Sequence, residues 1–261
     1  MRSIILKSLK QSFTLEDRKF YCFLLFLFQA SFIILFSYFF VRFYINIIEL
    51  LGSMIESVSK IDFDNVVSIS QSAELFSGYD EIIKYFAIAL AVLYLTYALI
   101  NSIIWHISNY CVSGENNFWK YNLHFLILSF IFIFPAYFLF RIIHGSLINF
   151  DFLSPTKIVV AAIILITWYF MMISFALINK YKIKQLKKHL KQTFIIGYRK
   201  ALILIPTYLI IISAILLSFY LIYLAQDSIY LSALLLSVFL FLWVLVWSRL
   251  YFLITMRNIQ K

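Results

Sequence analysis

Two histidines at the ends of apolar runs are the side chains best placed for chemistry in this sequence. His106 lies at the end of one run and His124 near the start of the next, and only a short segment joins the two runs. A zinc site needs a third nitrogen, sulfur or carboxylate ligand, which Cys111 could supply. Interfacial histidines more often bond to backbone or water. We therefore predict an interfacial pair, His106 and His124, without a metal ion.

No motif of a known catalytic or nucleotide-binding centre accompanies these histidines. The sequence lacks GxSxG, HExxH, GxxxxGK[ST] and CxxC. It also lacks the pair of acidic residues at one membrane interface that metal-dependent lipid transferases need. Cys22 and Cys111 give neither a disulfide framework nor metal-ligand spacing. The sequence therefore predicts a protein that is not an enzyme and that holds no cofactor.

A few polar side chains lie inside the apolar runs. Those that could line a path or bond between helices are Gln29, Thr96, Asn101 and Thr167. Such groups contribute about 1 kcal/mol or less each when they hydrogen-bond between membrane helices. We expect them to serve packing, and a narrow polar path through the membrane is the alternative. Glycine is absent from the runs, which argues against both GxxxG packing and broken transporter helices.

The composition places most of the chain in lipid. Of 261 residues, 64% are hydrophobic and only 13% are charged, whereas soluble domains carry about 25% charged residues. Six runs without Asp, Glu, Lys or Arg are each long enough to span a bilayer as a helix: residues 20–41, 85–107, 121–140, 158–178, 201–225 and 228–248. The runs are apolar on every face, which favours helices over the alternating strands of a barrel.

The charged residues predict the orientation of these spans. With the N-terminus inside, the inner segments hold 17 of the 22 Lys and Arg residues, and the outer segments hold 9 of the 12 Asp and Glu residues. This follows the positive-inside rule. We predict a multi-pass protein of the cell membrane with both termini in the cytoplasm. The net charge of +10 then reflects topology and affinity for anionic lipid, and does not indicate a nucleic-acid partner.

One stretch of sequence is used twice before a span. LKQSFTLEDRK at residues 9–19 matches LKQTFIIGYRK at residues 190–200 in six of eleven positions. Both belong to basic amphipathic patterns that predict helices in the cytoplasmic headgroup plane. The second, at 181–194, carries its charge on Lys182, Lys184, Lys187, Lys188 and Lys191. Duplication of a building block explains the match, and convergence through topology remains the alternative.

The predicted architecture is an all-α polytopic membrane protein, a single integral membrane domain over residues 1–261. Its six transmembrane helices form three helical hairpins, each entered from the cytoplasm. The first span is expected to be an uncleaved signal anchor, since signal-peptide apolar regions are shorter. The outer segment 42–84 is expected to pack over the outer ends of the spans, with a short surface helix near residues 54–61.

Two stretches resemble a known group of proteins. Residues 186–206, LKKHLKQTFIIGYRKALILIP, and the start LKSLKQSF at residue 6 are similar to six-span prokaryotic membrane domains of the type found in some glycerophosphodiester phosphodiesterases. In that group a basic amphipathic stretch leads into a span with an early proline, here Pro206. The resemblance implies the membrane fold. It implies no activity, because the catalytic barrel of those enzymes is absent.

Three functions follow from these patterns. The first is a non-catalytic integral membrane protein that acts as a scaffold, an accessory subunit or a lipid-organising element. Its partners would be the lipid bilayer, anionic lipid at the cytoplasmic face, and a protein partner or a second copy of the chain. The alternative is a small transporter or channel for a small or hydrophobic solute. The third is an interfacial lipid enzyme that uses His106 and His124.

Overall fold

The computed structural model of the chain describes residues 2–13, 19–59, 69–114, 117–144, 155–226 and 231–260. This part of the chain folds into eight α-helices and contains no β-strand. In chain order they are α1 (Arg2–Phe13), α2 (Lys19–Ser59), α3 (Ile69–Ser113), α4 (Phe118–His144), α5 (Pro155–Leu177), α6 (Leu186–Arg199), α7 (Ala201–Gln226) and α8 (Leu231–Gln260). Two 3₁₀ turns, Ile178–Lys180 and Ile183–Gln185, connect α5 to α6.

Six of these helices are long and apolar enough to cross a membrane, and each overlaps one of the six predicted runs. The qualifying segments among the described residues are Phe20–Ser53, Asp80–Ser113, Phe118–Pro135, Ile158–Lys180, Ala201–Gln226 and Leu231–Gln260. The predicted class, an all-α polytopic membrane protein, is confirmed. Pro135 and Pro206 lie inside α4 and α7, where each removes one backbone hydrogen-bond donor from the helix.

Helices α2 and α3 are much longer than the predicted spans. They contain 41 and 45 residues, or about 61 and 67 Å of helix, whereas the hydrocarbon core is about 30 Å thick. The expectation of a short separate helix near 54–61 was wrong for residues 54–59, because these residues form the last turns of α2. A fall in hydrophobicity does not terminate a helix, and Gly52 alone costs only about 1 kcal/mol. Residues 60–61 lie outside the described part.

The chain divides into two compact units. One unit is Ala30–Ile100, which contains the long middle portions of α2 and α3. Within it the two helices meet through aromatic side chains: the ring centroids of Phe32 and Tyr97 are 6.1 Å apart, and those of Phe43 and Tyr85 are 5.7 Å apart. Asn46 Nδ2 also donates a hydrogen bond to the Tyr85 hydroxyl.

The other unit is Met1–Gln29 with Asn101–Lys261. Within it α4 packs on α5 and α7 packs on α8, as expected for consecutive helical hairpins. Its best-protected segment is the C-terminal part of α8, where every side chain from Leu250 to Met256 is buried. The sequence analysis placed these residues in a cytoplasmic tail. They continue the helix of the last span and are buried in the protein, since helices α1, α5 and α7 all pack on α8.

Candidate functional site

Most polar contacts of the larger unit cluster at one end, which we call the basic end. It carries α1, α6 and the C-terminal part of α8. The two chain termini are close together there, because Asn258 Nδ2 donates to Ser8 Oγ at 3.0 Å and to Gln11 Oε1 at 2.9 Å. A chain whose two ends meet on one side crosses the membrane an even number of times. This geometry agrees with six crossings.

Helix α1 is held on α8 by its hydroxyl side chains. Ser8 and Ser12 are separated by one helical turn and are both buried. Trp247 Nε1 donates to Ser12 Oγ at 3.0 Å, and Ser12 in turn donates to the Leu9 carbonyl at 2.6 Å. The ring of Phe13 stacks on Trp247 with 5.8 Å between centroids. Small polar side chains of α1 therefore contact α8 and allow the two helices to approach closely.

Helix α6 is held on α5 in the same manner. Its buried side is formed by His189, Thr193 and Gly197, which are spaced one turn apart. Tyr169 donates to the Gly197 carbonyl at 2.8 Å, and a Cβ atom at Gly197 would lie only 2.6 Å from Cε1 of Phe170. Such a distance is far below van der Waals contact. Only glycine lets α6 lie this close to α5.

The two copies of the repeated sequence therefore place equivalent residues in equivalent positions. Ser12 and Thr193 occupy the same position of the repeat, and Ser8 and His189 each directly precede it; all four are buried. The phenylalanine that follows each hydroxyl residue is exposed, by 66% at Phe13 and by 51% at Phe194. The repeat is a docking element that turns a hydroxyl towards the bundle and leaves an aromatic side chain outside.

A chain of hydrogen bonds at α6 joins two histidines and a serine. His189 Nδ1 lies 3.2 Å from His124 Nε2, and His189 Nε2 lies 3.0 Å from the Ser174 carbonyl and 3.3 Å from Ser174 Oγ. All three residues are fully buried. The carbonyl can only accept, so His189 Nε2 carries a hydrogen and donates. In the neutral pair His124 Nε2 then donates to His189 Nδ1.

This arrangement defines what the histidines can do chemically. A general base for Ser174 would need a free lone pair on His189 Nε2, and that nitrogen is occupied as a donor. Nδ1 of His124 is buried without a hydrogen bond of ordinary geometry among the described residues, although the Tyr181 backbone lies near the ring. The chain of bonds therefore fastens α6 to α4 and α5. Within the described part, no three His, Cys, Asp or Glu residues form a group able to hold a metal ion.

The environment of His189 disfavours its charged form. Burial first, and then the neighbouring His124, lower its pKa from 6.5 to about 4, while the hydrogen bond to the Ser174 backbone acts in the opposite direction. His189 thus remains neutral at physiological pH. The ring of Tyr181 covers it, with centroids 5.1 Å apart.

His106 lies among aromatic side chains. Its ring packs edge-on against Phe118 and Tyr121, with both centroid distances 5.3 Å. The hydrogen-bonding partner of His124 is His189, on a helix 65 residues further along the chain. The sequence showed His189 only as part of a basic pattern. Its position directly before the repeat, aligned with Ser8, was the available signal.

Two of the predicted polar residues within the spans meet at a third residue that the sequence analysis assigned to the cytoplasmic tail. The guanidinium of Arg249 donates to Gln29 Oε1 and, at 3.0 Å, to Asn101 Oδ1. Arg249 lies about 16 Å before the end of α8, at 1.5 Å per residue. Gln29 and Asn101 are buried. They hold α2, α3 and α8 together through one charged group.

The other two predicted polar residues are Thr96 and Thr167. Thr96 donates to the carbonyl of Val92 at 2.8 Å, within its own helix. Thr167 is half-buried on α5. The five lysines of the predicted basic helix are all exposed: Lys182, Lys184, Lys187, Lys188 and Lys191. The helix itself is α6, which begins five residues later than predicted and continues to Arg199.

No family model matches this chain, and no curated protein or solved structure is significantly similar to it. The likeness to the membrane domains of glycerophosphodiester phosphodiesterases stays a prediction.

Proposed function

We propose that this chain is a non-catalytic membrane protein that organises anionic lipid at the cytoplasmic face of the cell membrane. The observation that carries the proposal is the docking of α6. Its buried side is occupied by contacts with α5. Its lysines Lys187, Lys188 and Lys191, and Lys182 and Lys184 just before the helix, remain exposed beside half-buried apolar side chains. A helix held in this way presents cations at a fixed height along the bundle. Each lysine contributes about 1 kcal/mol of attraction near an anionic surface.

The second basic helix supports the same proposal. Lys7 and Lys10 of α1 are exposed, while Ser8 and Ser12 are buried against α8. Both basic helices belong to one end of the bundle, so their charges act on one leaflet. The positive-inside rule supports assigning this end to the cytoplasmic leaflet. The proposed orientation therefore has both termini in the cytoplasm.

The lipid proposal is tested on the full-length protein in vesicles that contain phosphatidylglycerol and phosphatidylcholine. The lipid retained after mild detergent extraction is measured by mass spectrometry. A variant with Gln at all five lysines between residues 182 and 191 is expected to retain a smaller fraction of phosphatidylglycerol than the wild type. The matched variant with Arg at the same positions should behave as the wild type, because charge and not geometry is used. Equal retention by the Gln variant would overturn the proposal.

The orientation is tested separately with single cysteines at exposed positions. Gln185 and Gln260 lie at the basic end, and Ser53 lies near the end of α2. In a background with Cys22→Ser and Cys111→Ala, an impermeant thiol reagent applied to intact cells is expected to label Ser53→Cys only. Labelling of Gln185→Cys in intact cells would show the opposite orientation.

A further inference from the structure

A cavity of about 300 Å³ opens at the basic end between α3, α5 and α8. Its lining residues are Asn109, Val112, Ser113, Ala176, Asn179, Lys180, Leu253, Met256, Arg257 and Gln260. The floor is apolar, because Val112, Leu253 and Met256 are buried. The rim carries the charged and amide groups. Small-ligand sites begin at about this volume. Six of the ten lining residues here are polar or charged, which suits a polar ligand.

The charge of the cavity has a single sign. Lys180 and Arg257 line it, and none of its ten lining residues is acidic. Asn179 and Gln260 add amide donors. Within the described part of the chain, the side chains of Asn179 and Lys180 form no hydrogen bond or ion pair. The cavity therefore offers donors that the protein itself does not use.

The walls of the cavity are fixed before any ligand enters. Arg257 donates one hydrogen bond to the Val112 carbonyl, which orients its guanidinium at the rim. Asn109 Nδ2 donates to the Tyr121 hydroxyl at 2.7 Å, and Tyr121 donates to the Phe175 carbonyl at 3.1 Å. These bonds join α3, α4 and α5. A site assembled in this way binds with little loss of side-chain freedom.

We propose that this cavity binds a phosphate group. A phosphate carries one or two negative charges, and the cavity offers two cations. The phosphate oxygens can accept hydrogen bonds from the guanidinium, the ammonium and the amides at the same time. The apolar floor suits a group attached to the phosphate. That group is either the glycerol end of an anionic lipid, since the cavity opens where α5 ends, or a soluble phosphate ester. The site does not include the five lysines between residues 182 and 191, so it is tested independently of them.

The test is a binding measurement on delipidated full-length protein in a neutral detergent. The probes are short-chain phosphatidylglycerol, glycerol phosphate and inorganic phosphate, with short-chain phosphatidylcholine for comparison. We expect phosphate-containing anionic probes to bind and Lys180→Gln to weaken this binding at least tenfold. The Lys180 side chain forms no hydrogen bond or ion pair with the described residues, so this change should leave the fold intact. Arg257→Gln should weaken binding further, and its thermal midpoint is measured in parallel.

Matched controls separate a site from diffuse attraction. Lys184→Gln and Lys191→Gln remove the same charge from exposed positions that do not line the cavity, and they should bind as the wild type does. Binding of phosphatidylglycerol alone would identify a lipid headgroup as the ligand, and binding of the soluble probes as well would identify a phosphate ester. Equal losses in the control and cavity variants, or no binding of any probe, would overturn the proposal.

Discussion

The chemistry of His189 depends strongly on its surroundings. Its pKa of about 4 in the folded protein lies below the usual 6.5 because of burial and the adjacent His124. The folded state therefore binds fewer protons than a state in which α6 has detached. The contribution of His189 to the stability of the docked helix is fully present above pH 6.5. It is lost as the pH falls towards 4, by up to about 3 kcal/mol.

We expect the thermal midpoint of the purified protein to fall between pH 7 and pH 4.5. In His189→Gln the fall should be clearly smaller, because the neutral amide does not titrate. The comparison of the two pH profiles is the measurement, and it removes the general effect of acid on other groups. Parallel profiles for the two proteins would show that His189 does not control the docking of α6.

Arg249 gives a second prediction at this scale. Gln29 is buried and accepts from its guanidinium, so Gln29→Leu leaves a charged donor without that acceptor. The expected cost is about 1–3 kcal/mol of stability. When Arg249→Leu is already present, Gln29→Leu should cost much less. A double-mutant cycle by SDS titration measures the coupling, and additive effects would contradict it.

The sequence identified Gln29 and Asn101 correctly as unusual polar residues in spans, but not their shared partner. Arg249 stands after an apolar run and reads as the first residue of a basic tail. Whether a charge ends a span depends on the neighbouring helices. Here the surrounding side chains bury residues 250–256, so the helix continues through them. This information lies in tertiary contacts and not in the local pattern.

At the scale of elements, the repeat shows what periodicity can and cannot reveal. The apolar and basic spacing predicted α6 as a surface helix. It did not identify the buried stripe of His189, Thr193 and Gly197. In lipid, apolar residues gain little from burial in protein, and close approach through small or hydrogen-bonding residues decides which side docks. The repeated hydroxyl, Ser12 and Thr193, was the sequence signal for that side.

Gly197 provides the prediction for this docking. In Gly197→Ala the new Cβ would lie 2.6 Å from Cε1 of Phe170 and 3.2 Å from Cδ1 of Ile173. We expect destabilisation of about 1–3 kcal/mol, as for other overpacked sites. Protease cleavage within α6 should become faster. The matched control is Gly52→Ala, where a Cβ meets nothing within 4 Å, and helix propensity predicts a gain of up to about 1 kcal/mol. Similar effects at both glycines would contradict close packing as the cause.

For the whole molecule, the C-terminal part of α2 carries a candidate pairing surface. Five of its exposed apolar side chains fall at heptad spacing, Val41, Tyr44, Ile48, Leu51 and Ile55, each between 43% and 68% exposed. β-Branched residues alternate with Tyr or Leu along this seam, a pattern that favours two-stranded coiled coils. Asn46, on a different side of the helix, contacts Tyr85 of α3. The Asn46–Tyr85 contact with α3 therefore uses a side of α2 other than the seam.

We expect two copies of the chain to associate through this seam outside the lipid, because α2 is about twice as long as the membrane core is thick. In the background without Cys22 and Cys111, Ile48→Cys should form a disulfide-linked dimer under mild oxidation in membranes. Asn46→Cys, two residues away and directed at α3, should give much less. The yield for Ile48→Cys should also persist when the protein is diluted with excess lipid, since specific pairing depends less on crowding than random collision does. Equal yields at the two positions, both falling with dilution, would mean that the seam faces lipid or another partner instead of a second copy.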